Sequence, residues 1–136
     1  MPQTHTIIKG NNTNELDFLY EIEQMIHNDS INFEDKIETL IATSKILINH
    51  HDLKICIRLD KKDYGDINDE NRKLVFKRDI YVEDKVYGTF SVLINQDKFD
   101  TVGKLFTAKH SKFITSISLK LSNYLTIKNL KNELID

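Results

Sequence analysis

From Leu74 to Ile94 the chain alternates apolar and polar residues on both sides of a short charged break, and no other stretch narrows the possible folds as much. A period of two sends successive side chains to opposite faces of an extended strand. Pairing Val82 with Val86 leaves Glu83, Asp84 and Lys85 as a loop and gathers Phe76, Ile80, Val82, Phe90, Val92 and Ile94 on one face of a hairpin. Arg78 is the one charge on that face. Lys77, Asp79, Tyr81, Tyr87, Thr89, Ser91 and Leu93 line the other, mixed face. In this register Gly88 falls opposite Ile80, where a missing side chain lets a helix approach the sheet.

The same alternation marks Lys54–Leu59 as a strand, with Ile55, Ile57 and Leu59 on one face and Lys54, Cys56 and Arg58 on the other. The polar run DKKDYGDINDENRK that follows carries turn residues and room for one short strand around Tyr64. Helical spacing appears three times. Glu15–His27 follows a possible cap at Asn14 and has two apolar stripes, Phe18, Ile22 and Met25 on one and Leu16, Leu19 and Ile26 on the other, so it touches two things. Phe33–Asn49, capped by Asn32, carries a wide stripe of Phe33, Ile37, Leu40, Ile41, Ser44, Leu47 and Ile48 that suits a sheet. The last helix starts near Thr107 with Phe113, Ile114, Ile117, Leu121, Tyr124 and Leu125. It continues as Ile127, Leu130 and Leu134, a seam that a partner helix would bury.

These elements fit one α+β domain over residues 15–136 behind a frayed tail, 1–14. A chain of 136 residues buries one core, not two. It has no 18-residue apolar run, so no membrane is expected as a partner. The N-terminus fits no targeting peptide, and a single cysteine, Cys56, suits a reducing compartment; the cytoplasm is the expected location. Net charge is −2, but its distribution is lopsided. Glu15–Glu38 holds eight acids against Lys36 alone, and Thr101–Asn132 holds six lysines and no acid. If the first and last helices lie side by side, Glu21 and Glu23 would face lysines of the terminal helix, choosing partner and register. That helix has no arginine and no interleaved surface aromatics, so nucleic acid is not expected as a partner.

ICIRL (Ile55–Leu59), then DIYVEDKVYGTFSVLI (Asp79–Ile94), then a long amphipathic helix resemble the GAF-like sensor domains of bacterial and archaeal signalling proteins. ELDFLYEIEQMI (Glu15–Ile26) is similar to the signalling helix that opens many of them. The resemblance covers roughly Leu16 to Leu125. The turn Glu83-Asp84-Lys85 departs from the usual Asp-Gly or Asn-Gly, and NDENRKL lacks the aromatic residues expected before the hairpin. The resemblance implies a central antiparallel sheet of five or six strands, with the first and last helices on one face and a small pocket under loops on the other. It also implies a sensory or regulatory domain without enzymatic activity, acting as a homodimer beside a histidine kinase or response regulator. The alternative is a ligand-free dimerisation or docking module.

A ligand of unknown identity would meet Arg58, Cys56, Tyr81, Tyr87 and Tyr64. An arginine among tyrosines suits an anionic or planar molecule. The plainer reading of Arg58 is an ion pair with acids of the Asp60–Glu70 loop, and that of Cys56 a small buried hydrophobe. The expected dimer seam is Leu16, Leu19, Ile26, Ile127, Leu130 and Leu134. His50-His51 has no third ligand at a useful spacing, and Asp66–Asn71 lacks the glycine and distal glutamate of a calcium loop, so no metal is expected. His5, His27 and His110 join no motif. The chain carries no phosphate-binding glycine loop and no nucleophile or metalloprotease signature.

Overall fold

The computed structural model describes residues 15–48, 52–65, 72–98 and 106–131. Helices α1 (Glu15–Ile26) and α2 (Phe33–Ile48) lead into four strands, β1 (Leu53–Leu59), β2 (Lys62–Gly65), β3 (Arg72–Val82) and β4 (Lys85–Asn95). A 3-10 turn at Gln96–Lys98 and the long helix α3 (Ala108–Leu130) follow. The strands form one antiparallel sheet in the order β2-β1-β4-β3. Among the described residues the sheet therefore has four strands, where the resemblance implied five or six.

Side-chain chemistry sets the helix starts. The Asn32 amide oxygen accepts from Asp35 N–H at 2.8 Å, with Glu34 and Asp35 in the first turn of α2 where the helix dipole favours anions. Thr107 and His110 cap α3 reciprocally. The threonine hydroxyl accepts from the His110 N–H and the imidazole accepts from the Thr107 N–H, which gives His110 a structural role. Asn14, the expected cap of α1, lies outside the described residues.

Alternation along the strands decides which face is covered. Ile55, Ile57, Ile80, Phe90, Val92 and Ile94 are fully buried, and they meet Ile37 and Leu40 of α2 and Ile114, Ile117 and Leu125 of α3 in one core. Each such side chain contributes roughly 1.5–3 kcal/mol when removed from water. Helix α2 packs on β1, α3 on β3, and α1 on both α2 and α3, so the three helices share one face. Phe18 meets Phe113 edge-on at 5.4 Å, Glu23 pairs with Lys120 at 3.4 Å, and His27 meets Tyr124 at 5.6 Å. These pairs advance together along both helices, so α1 and α3 are parallel neighbours. The expected pairing of an acidic first helix with a lysine-bearing last helix occurs here within one subunit.

Two details of the hairpin differ from the simple register. Val82 faces Lys85, not Val86, and the loop is only Glu83 and Asp84, with φ of 50° and 70°. Two left-handed residues in a two-residue loop are the type I′ arrangement, which follows the twist of paired strands better than a wider loop. A bulge at Tyr87 absorbs the one-residue difference, so Ile80 still faces Gly88; a second bulge falls at Val75. Gly88 is required by a neighbouring strand, not by a helix: a Cβ there would sit 1.9 Å from the Arg58 carbonyl oxygen.

The outer edge of β3 is closed by hydroxyls. Tyr81 N–H donates to Ser122 Oγ at 2.9 Å, Glu83 N–H to Thr126 Oγ1 at 3.2 Å, and the Arg78 guanidinium to Thr115 Oγ1 at 2.9 Å. Helix α3 thus runs parallel to β3 and satisfies edge donors that would otherwise invite another strand. The opposite edge strand, β2, is only four residues long.

Candidate functional site

Cys56 and Arg58 point away from the helices, as alternation from buried Ile55 and Ile57 demands. Cross-strand pairing sets them in two rows, Cys56–Ser91–Lys77 and Arg58–Thr89–Asp79. Tyr81 shares this face beyond Asp79. Arg58 is exposed, and its guanidinium lies 3.7 Å from an Asp63 carboxylate oxygen across the β1–β2 turn. That is the ion pair with the Asp60–Glu70 loop. Cys56 forms no disulfide and is half-buried, not fully buried as expected, because the face it points to is not covered by a helix.

Tyr64 and Tyr87 do not join them. Tyr64 faces Ile57, so it lies on the helix side and is buried beside α2. Tyr87 is the extra residue of the bulge, and the bulge turns it against the core near Asp60 and Tyr64. Burial raises the pKa of both phenols above the ordinary tyrosine value, and both stay neutral well past physiological pH. The five residues expected around one ligand are therefore split, with Arg58, Cys56 and Tyr81 on the open face and Tyr64 and Tyr87 on the covered one. Period-two reading placed Tyr87 wrongly because one inserted residue reverses the alternation beyond it.

Two concavities border the hairpin. A cleft of about 270 Å³ lies where the β3 edge meets α3, lined by Lys77, Arg78, Asp79 and Tyr81 on the strand and Thr115, Ser118 and the exposed Leu119 on the helix. Part of its polar lining is already engaged. The Arg78 guanidinium bonds Thr115 and stacks over the Phe76 ring at 4.5 Å, and the Thr115 and Ser118 hydroxyls donate back to carbonyls of their own helix. The second concavity, about 470 Å³, sits at the turn end of the hairpin between Val82, Glu83, Lys85, Val86, Tyr87 and Asn129 of α3. Neither is lined by Cys56 or Arg58.

The outer face of α3 carries Leu119 at 59%, Ile127 at 43% and Leu130 at 65% exposure, and Tyr20 of α1 is exposed as well. Of the expected seam, Ile127 and Leu130 are thus free to meet a partner. Leu19 is half-buried against the core, and Ile26 is 1% exposed, so Ile26 is a core residue and drops out of the seam. Leu134 and the side chain of Leu16 lie outside the described residues, as do His5, His50, His51 and Asp66–Asn71. Leu119 was missed because it stands more than two helical turns ahead of the seam read from Ile127 onward.

Sequence reading also missed Lys36. Its residue is only 3% exposed, its ammonium donates to the Tyr124 hydroxyl at 3.2 Å, and it lies 4.6 Å from that ring's centroid. His27 and Lys128 approach the same ring. The signal was available, since Lys36 is three residues after Phe33 and four before Leu40, inside the apolar spacing. Among the described residues no group of acids, histidines and cysteine is arranged to hold a metal ion, and no helix is long and apolar enough to cross a membrane.

Comparison with protein-family models, with curated proteins and with solved structures finds no match to this chain.

Proposed function

We propose that the chain is a non-enzymatic regulatory domain of GAF-like type that self-associates through α3 and α1 and passes a change in helix packing to a cytoplasmic signalling partner, a histidine kinase or response regulator. The exposed row Leu119, Ile127 and Leu130 carries this reading. Their spacing leaves an apolar stripe on the solvent side of a helix whose opposite side already fills the core. The stripe runs on in the sequence to Leu134. An unburied stripe of this kind suits a second helix.

Three features of the fold support the regulatory part. An antiparallel sheet with the first and last helices side by side on one face agrees with the GAF-like resemblance. The two helices are parallel and clasped by Phe18–Phe113 and Glu23–Lys120, so a displacement of one is felt by the other. The hydroxyl contacts between α3 and β3 tie the same helix to the hairpin. The Glu23–Lys120 pair, half exposed on the acidic side, is worth only about 0.2–1 kcal/mol, so it sets register while apolar packing supplies affinity. Separation of the five expected ligand residues onto two faces favours association over a ligand held on the open face.

Sedimentation velocity from low micromolar to near-millimolar protein tests the reading. A concentration-dependent dimer that Leu119→Glu or Leu130→Glu abolishes, with unchanged melting temperature, is the expected result. A monomer throughout the range, or a dimer indifferent to both substitutions, overturns it.

A further inference from the structure

We propose that the cavity at the turn end of the hairpin is a binding site for a small zwitterion with an apolar body, an aliphatic α-amino acid of valine to leucine size. The volume of about 470 Å³ lies within the range of small-molecule sites. Its wall divides by chemistry. Val82, Val86 and the Tyr87 ring offer apolar surface, while Lys85 and Glu83 supply one charge of each sign and Asn129 an amide. A wall with one cation and one anion discriminates against a ligand of net charge. A molecule carrying both signs meets it without leaving either group unmatched.

The polar groups are available. Among the described residues neither the Lys85 ammonium nor the Tyr87 hydroxyl has a hydrogen-bond or ion-pair partner, and burial keeps the Tyr87 phenol protonated as a donor. The Glu83 carboxylate accepts from the Asn129 amide and retains further lone pairs. In the bound state Lys85 would hold the ligand carboxylate, Glu83 would accept from its ammonium, and the aliphatic chain would rest on Val82 and Val86.

The turn beside the cavity carries a second observation. Glu83 and Asp84 both occupy left-handed backbone conformations; aspartate tolerates that region, but glutamate rarely adopts it, and the strain at Glu83 persists only where surroundings impose it. The surroundings here are α3, through Thr126 to the Glu83 N–H and Asn129 to the Glu83 carboxylate. Strained backbone held by the element that must respond is a frequent arrangement at ligand clamps. Glu83 and Asn129 would then join the ligand to α3 between Ile127 and Leu130. This site deepens the regulatory reading above, but its existence does not depend on dimer formation.

Calorimetric titration of the full chain with L-leucine and L-valine is the test, with isovalerate and isobutylamine as ligands that keep only one charge. Saturable binding of an amino acid, tighter than either single-charge analogue, is expected. Lys85→Ala should weaken it by about tenfold or more, since a charge-assisted contact is lost. Val86→Asp should abolish it, and an unchanged melting temperature would show that both variants remain folded. No heat from either amino acid at millimolar concentration, or binding that neither substitution affects, overturns the site. Sedimentation of the same samples separates the two proposals, because binding without a dimer refutes association alone and a dimer without binding refutes this site alone.

Discussion

The two faces of the sheet are made by the same strands and differ by one residue of offset, yet they do different work. On the helix side Ile57, Phe90 and Ile80 are completely enclosed. On the open side their neighbours Arg58, Thr89 and Asp79 form a mixed row in partial contact with water, and the Arg58–Asp63 ion pair there is open to solvent. Cohesion therefore lies on one face. The other face tolerates charge because Arg58 and Lys77 are exposed and Asp79 keeps partial contact with water.

Four measurements would break or sharpen this contrast. Phe90→Ala, which opens a cavity beneath α2 and α3, should cost about 3–5 kcal/mol of stability in chemical denaturation. Ser122→Ala tests the border between the faces, since it strips the acceptor from the Tyr81 N–H at the β3 edge; a loss of about 1–3 kcal/mol is expected if that donor is left unpaired. Arg58→Ala, on the open face, should change stability by no more than about 0.5 kcal/mol. A cost near that of Ser122→Ala would mean that the open face is covered.

The last measurement is a pH titration of stability. Tyr64 and Tyr87 hold their protons more tightly folded than unfolded because burial disfavours the phenolate. A raised folded pKa gives stability that is fully present below the unfolded value of 10.0 and is lost as pH rises through the folded value. Stability should fall above pH 10, and Tyr87→Phe should reduce the slope. A slope unchanged in that variant would mean that Tyr87 is not buried.

Much of this architecture was legible because it depends on local spacing. The stripes of α2 and α3, the alternation of β1 and the hairpin pairing from Phe76 to Ile80 follow from periods of 3.6 and two. Those periods persist whatever the elements later pack against. Arg58 found its partner within the adjacent turn, so nearby acids were enough to foresee it. The candidate site was much less legible. Tyr87 changed faces through a bulge that no pattern announces, and the cavity beside it is closed by Asn129 of α3, which lies more than 40 positions further along the chain than Val82, Glu83, Lys85 and Val86.

Composition and order alone were enough to specify three amphipathic helices, a hairpin and a charge imbalance that matches α1 to α3. Tertiary packing decided the rest: that α3 lies along the β3 edge with its hydroxyls on the strand's free donors, that Lys36 ends against Tyr124, and that Ile26 belongs to the core while Leu119 does not. Periodicity states which residues share a side of an element. Which side meets another element is settled only when all the surfaces compete for the same limited interior.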